Sequence, residues 1–174
     1  MIVAAIAYQE LSDEQQASIT DLLTSHPEYD RQWRTDYEQV KNDVKLGLYL
    51  FMRASVWADD IRSSKHADHG LSAPKWHYMN YELRFPYDGE LIVSDQENVL
   101  DAIELNLNIL KDTATPTEEK AIALGWLIHL VGDIHQPLHT VSLFNGMARG
   151  QLWFCLAAEF AVRSRVVIAT LKPN

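Results

Sequence analysis

The run from Thr115 to Thr140, TPTEEKAIALGWLIHLVGDIHQPLHT, constrains the chain more than any other. It is an apolar helical stretch that carries His129 and Asp133 four residues apart, then meets Pro137, with His139 close behind. Four residues is slightly more than one helical turn, so both side chains leave the helix in the same direction. An ionisable pair set among Leu124, Trp126, Leu127, Ile128, Leu130 and Val131 needs a partner that offsets its desolvation. A divalent metal such as zinc, which accepts imidazole and carboxylate ligands, is one such partner. Taken alone, His129 reads more simply as a core histidine satisfied by a backbone carbonyl.

The 174 residues are enough for one domain with a real core. The formal charge of −9 argues against a surface that coats itself in nucleic acid. It leaves a nuclease open, since bound metal ions would add positive charge that residue counting omits. Charge is unevenly spread: residues 149–174 hold Arg149, Arg163, Arg165 and Lys172 against the one acid Glu159. The lone Cys155 excludes an intrachain disulfide. No apolar run reaches membrane-spanning length, and MIVAAIAYQELSDEQQ has no basic region of the kind a signal peptide needs.

The rest of the chain reads mostly as helices. Ile2–Tyr8 reads as a buried helix, and Ser12-Asp13-Glu14-Gln15 as a capping box opening a helix to about Thr24. Arg31–Asp43 is polar and aromatic, a loop with a helical turn. Residues 44–63 predict a helix apolar on nearly every side until Trp57, hence central in a bundle. Asp59, Asp60 and Arg62 close it, and carboxylates at a helix C-terminus oppose its dipole. One Asp there is either a metal ligand or part of a solvated helix end. Lys65–Lys75 reads as a loop in which His66, Asp68 and His69 are solvated. Trp76–Phe85 is aromatic-rich, extended or a short ordered loop. Ser94-Asp95-Gln96-Glu97 predicts a second capping box, opening a helix to about Lys111 with Leu100, Ile103, Leu107 and Leu110 on one face. Thr115-Pro116-Thr117-Glu118 predicts a third, and Pro137 ends or kinks the helix that follows. The class expected is an all-α bundle.

The run WLIHLVGDIHQPLHT, with ASVWADDIR and WHYMN upstream, resembles the S1/P1 nuclease family over roughly Ile2 to Asn145. The resemblance implies an incomplete helical fold of the phospholipase C/P1 nuclease type and a cluster of three zinc ions. It implies Asp59, His77, His129 and Asp133 as ligands of one ion, Asp133 as the carboxylate shared with a second, and His139 as the first ligand of the third. Arg62 resembles the residue that contacts the scissile phosphate, and Tyr78 and Asn80 the pair that stack on and hydrogen-bond a base. The implied activity is zinc-dependent endonucleolytic hydrolysis of single-stranded DNA or RNA to 5′-phosphorylated products, with nucleic acid or nucleotides as substrate and no protein partner. Family members are typically secreted or periplasmic. Trp57 and Trp126 read as core, Asp60 as a solvated neighbour, and His135 as lying on the face opposite His129. Arg62 reads equally as a salt-bridge partner of Asp59 or Asp60.

Two family features are missing: the N-terminal Trp and nearby His, and the N-L-H-x-x-W-D segment downstream. The expected division is a partial nuclease domain over 1–148 and a divergent tail over 149–174, whose changed composition a shifted reading frame would explain. With these ligands one zinc is supportable and activity is expected to be impaired. Two alternatives accompany this reading. One is a zinc-dependent phospholipase C-like hydrolase; the other is a non-catalytic helical remnant holding one zinc.

Overall fold

The computed structural model describes residues 1–79, 81–84, 92–93, 97–144 and 149–150. The chain is all-α in class, as expected, with four short strands added. It divides into two units: Met1–Pro74 with Ile103–Gly132, and Lys75–Ala102 with the chain from Asp133 onward.

In the first unit, α1 (Ile2–Gln9) and α2 (Asp13–Thr24) both pack on α4 (Leu46–Asp60). The Ser12 box forms as its sequence predicts. Ser12 Oγ accepts from the Gln15 amide at 3.3 Å, and Gln15 Oε1 accepts from the Ser12 amide at 3.0 Å. Asp13 and Glu14 add charge favourable to the helix N-terminus. In α4, buried Gly47, Leu50, Phe51, Ala54, Trp57 and Ala58 follow the three-and-four spacing of a helix face. No residue from Leu46 to Ala58 is exposed, which bears out its central position. The last helix of this unit, α6 (Thr117–Asp133), likewise has no exposed residue from Ala121 to its end.

Two expectations need correction. Helix α1 is buried on one side only: Ala4 and Tyr8 face inward, while Ile2 and Val3 are 79% and 63% exposed. Residues 31–43 are more ordered than a loop. A π-helical turn, Tyr29–Trp33, runs into α3 (Arg34–Val40), anchored by Trp33, which is fully buried.

Two glycines of this unit make opposite predictions. A Cβ at Gly47 would lie 2.0 Å from Tyr8 Oη and 2.2 Å from Thr20 Oγ1, where α1 and α2 close on α4. Gly47→Ala is therefore expected to destabilise by about 1–2 kcal/mol through overpacking. At Gly125 the nearest atoms, His26 Nε2 and Trp57 Cε3, are both at an ordinary 3.5 Å. Gly125→Ala should stabilise by about 0.5–1 kcal/mol, the helix-propensity gain. Urea denaturation of both variants checks the signs.

The second unit is built on a four-stranded sheet in the order β2-β1-β3-β4, from β1 (Tyr81–Arg84), β2 (Ile92–Val93), β3 (Val141–Phe144) and β4 (Arg149–Gly150). β1 and β3 are parallel, with Tyr81 opposite Val141 and Arg84 opposite Phe144; the other pairings are antiparallel. The short α7 (Pro137–Thr140) leads directly into β3. Helix α5 (Val99–Lys111) begins in this unit with a different cap from the one expected. Asn98 Oδ1 accepts the Leu100 and Asp101 amides at 2.9 and 3.3 Å, and Asp101 Oδ2 accepts from the Asn98 backbone and side chain. Glu97 precedes it at φ 67°, turning the chain into the helix. Ser94, Asp95 and Gln96 lie outside the described residues, as do Asn80 and the tail beyond Gly150. The predicted cap at Thr115 is also replaced: its hydroxyl donates to Asp112 Oδ2 at 3.1 Å, and α6 starts at Thr117.

Candidate metal centre

In the first unit, the functional side chains sit at the end of α4 and near the end of α6. Asp59 and Asp60 are exposed at the unfavourable pole of the α4 dipole. Arg62 Nη1 lies 3.4 Å from Asp59 Oδ1, and Arg53 Nη2 lies 3.8 Å from Asp60 Oδ2. The salt-bridge role open to Arg62 is thus occupied, with Asp59 as the partner. Asp60 is a surface neighbour, as expected.

His129 is 5% exposed, and its Nδ1 lies 2.8 Å from the Ser55 carbonyl of α4. A carbonyl only accepts, so Nδ1 carries the proton and Nε2 carries the lone pair. The backbone carbonyl that a core histidine calls for is present. It is also the partner that a metal-ligating histidine ordinarily has on its second nitrogen. Trp57 and Trp126 are both core, with ring centroids 5.9 Å apart.

In the second unit, one carboxylate gathers two imidazoles. Asp133 Oδ2 lies 3.0 Å from His77 Nδ1 and 3.3 Å from His139 Nδ1. His77 is completely buried and Asp133 nearly so. The chain reaches this arrangement by a turn after α6, in which the Gln136 amide donates to the Asp133 carbonyl and the His139 amide to the Gln136 carbonyl. The Met79 amide donates to the His139 carbonyl at 2.8 Å, which ties the His77 segment to α7. The turn back that His139 needs after Pro137 is therefore made. Tyr78 lies against His139, with ring centroids 4.9 Å apart. His135 is exposed.

The donor chemistry fits zinc. His77 directs Nδ1 at a carboxylate and His129 at a carbonyl, so each ring is fixed with its lone pair on Nε2. Asp59 offers a carboxylate oxygen, while Asp133 is engaged as the partner of the His77 ring.

A second group of ligand-type side chains in the first unit does not fit a metal. Ligand atoms of Glu28, His66 and Asp68 lie within 4.8 Å of one another, but Arg31 already fills the group. Its guanidinium reaches Glu28 Oε1 at 2.5 Å and Asp68 Oδ1 at 2.6 Å. The hydrogen bond to Asp68 pushes the Arg31 pKa still higher, so this charge is permanent. His66 Nδ1 accepts the Asp68 amide at 3.1 Å, which leaves its proton on Nε2, facing Glu28 Oε2 at 3.8 Å. The Arg31 cation thus already supplies the positive charge these carboxylates call for, and it would repel a metal ion. The reading of His66 and Asp68 as solvated loop residues is corrected: their side chains are 19% and 10% exposed and held on several sides. Two signals pass unused in the sequence. The triplets His26-Pro27-Glu28 and His66-Ala67-Asp68 share a His-x-acid pattern, and both fold so that Nδ1 accepts the acid's amide.

The S1/P1 nuclease family model matches residues 1–151, most of the chain and slightly more than the motifs alone delimit. The chain belongs to the S1/P1 nuclease family, and so to proteins that hydrolyse nucleic acid. A comparison with curated proteins returned no match. Among the described residues, no helix is long and apolar enough to cross a membrane.

Proposed function

We propose that this chain acts on phosphodiester bonds of single-stranded DNA or RNA through zinc, leaving 5′-phosphorylated products. Asp59, His77 and His129 hold one ion, Asp133 backs His77 from the far edge of its ring rather than ligating that same ion, and His139 serves another. The observation that carries this reading is the matched protonation of His77 and His129, each with Nδ1 on an acceptor and its lone pair on Nε2. Bound zinc lowers the pKa of water and offsets phosphate charge.

The chain's own side chains supply binding and orientation. Arg62 turns from Asp59 to the scissile phosphate, a charge-assisted contact stronger than its exposed ion pair. Tyr78 offers a ring face to an unpaired base, which favours single strands because duplex bases have no free face. Asp133 orients the His77 imidazole and fixes its proton on Nδ1.

The test is metal analysis of the purified 174-residue chain, together with hydrolysis of a single-stranded oligonucleotide. Near one zinc per chain is expected, with weak hydrolysis, because this reading gives one ion three ligands and another only His139. Asp133→Ala should weaken zinc affinity by about 10–100-fold, the usual effect of losing an outer partner. A wild-type chain that retains no zinc, or an Asp133→Ala variant that binds as well as wild type, would falsify the proposal.

A further inference from the structure

The acid end of α4 is intrinsically weak, yet it carries Asp59 and Arg62. Carboxylates at 59 and 60 oppose the helix dipole, and terminal carbonyls lack intrahelical donors. Past the helix, the chain turns through 61–72 by short-range backbone bonds that include His66 amide to Ser63 carbonyl and His69 amide to His66 carbonyl. Such turns alone leave a helix end free to fray.

Two side chains oppose fraying from outside the helix. His69 Nδ1 lies 3.0 Å from the Ile61 carbonyl and must donate to it, giving a terminal carbonyl its missing partner. Arg31 forks between Glu28 and Asp68, whose side chains are 5% and 10% exposed. That bridge fastens the 61–72 turn to the π-helical turn that precedes α3. Each acid is presented rigidly, since its own amide donates to a histidine two residues earlier, Glu28 to His26 and Asp68 to His66. Ile61 is itself fully buried, so the segment is pinned by packing, by a capped carbonyl and by an ion bridge at successive points.

We propose that Arg31 and His69 are positioning residues, which hold the end of α4 so that Asp59 and Arg62 present a fixed carboxylate and guanidinium. The proposal rests on the reading of Asp59 as a zinc ligand and Arg62 as a phosphate contact. Lysine replaces Arg31 only in part, because its ammonium lacks the rigid planar fork that presets two N–H directions toward Glu28 and Asp68. Asparagine can replace His69, because its amide nitrogen occupies much the same place as Nδ1.

The experiment uses the full chain with Arg31→Met, Arg31→Lys, His69→Ala and His69→Asn. Amide hydrogen exchange by NMR is read together with zinc affinity by calorimetry. Arg31→Met and His69→Ala should speed exchange of the Ile61, Arg62 and Ser63 amides by about tenfold or more, while residues 123–127 of α6 stay unchanged. Zinc affinity should fall by about 10-fold in the same variants, the scale of a lost supporting contact. His69→Asn should restore both readouts, and Arg31→Lys should restore neither fully. Uniform acceleration across α4 and α6 would show a merely structural role and overturn the proposal, as would unchanged exchange at 61–63. If the wild-type chain binds no zinc, the zinc reading falls by itself, and the exchange pattern still decides whether the tether orders the helix end.

Discussion

Trp57→Ala is expected to lower the unfolding free energy by about 3–5 kcal/mol, the range for removing a fully buried aromatic. The indole is 1% exposed and stands where three elements meet in the first unit. The His26 ring meets it at 85° with centroids 4.7 Å apart, and Trp126 of α6 meets it at 78° and 5.9 Å. Its truncation removes two edge-to-face contacts as well as the buried area. The hole it leaves is lined by rigid rings that cannot collapse inward, so the loss should fall toward the upper end of the range. Urea denaturation followed by far-ultraviolet circular dichroism measures it, with Trp57→Phe as the milder comparison. A change below about 1 kcal/mol would contradict the packing described, because only a site that relaxes fully costs so little.

The second large effect is acid sensitivity. His26 is buried between the Trp33 and Trp57 rings, stacked on the first at 4.6 Å. Burial lowers its pKa from 6.5 to about 4; Asp68 opposes that shift and Arg31 adds to it. In the unfolded chain the group takes a proton near pH 6.5, while in the folded chain it resists until about pH 4. The stability that depends on a neutral His26 is therefore complete above pH 6.5. It is lost progressively as pH falls from 6.5 to 4, and no more is lost below that. At about 1.4 kcal/mol per pKa unit, the whole window carries about 3 kcal/mol. Denaturation midpoints between pH 4 and 7 should show this slope. His26→Asn, whose Oδ1 can accept the Glu28 amide in place of Nδ1, should flatten it. A wild-type slope equal to that of His26→Asn would remove His26 as its source.

The helices with strong local signals were legible in the chain. Ser12 and Gln15 lie three residues apart and close their box without outside help. The apolar faces of α4 and α6 announce two buried helices. Other features depend on partners that a local pattern does not contain. Helix α3 has no buried residue of its own and follows from Trp33 being locked in the core just before it. The strands are two or four residues long, too short for an alternating pattern to register. The cap on α5 is Asn98 rather than Ser94, because Asn98 and Asp101 satisfy each other where the helix begins. In the site, residue types and spacing point to His129 and Asp133 with His139 close behind, while His77 comes from the family resemblance. The Ser55 carbonyl that sets the His129 proton is backbone, and no side-chain pattern reveals it. The Arg31 bridge joins residues 37 positions apart, and nothing local to either end foretells it.

The parallel pairing of β1 with β3 has a consequence for the order in which the molecule forms. Tyr81 meets Val141, sixty positions further on, only after the intervening chain has been gathered. Compared with closing a ten-residue hairpin, that loop costs about 1.6 kcal/mol more in chain entropy. Contacts of such long sequence separation slow folding, because the entropy is lost before the contact rewards it. Helices α1 and α2 close on α4 across shorter stretches and face a smaller barrier, whereas α6 reaches α4 only across 74 positions. The histidine–carboxylate cluster beside the sheet, with His77 just before β1 and His139 just before β3, is thus a late product of folding. A nascent chain closes α1, α2 and α4 first and acquires its chemistry last.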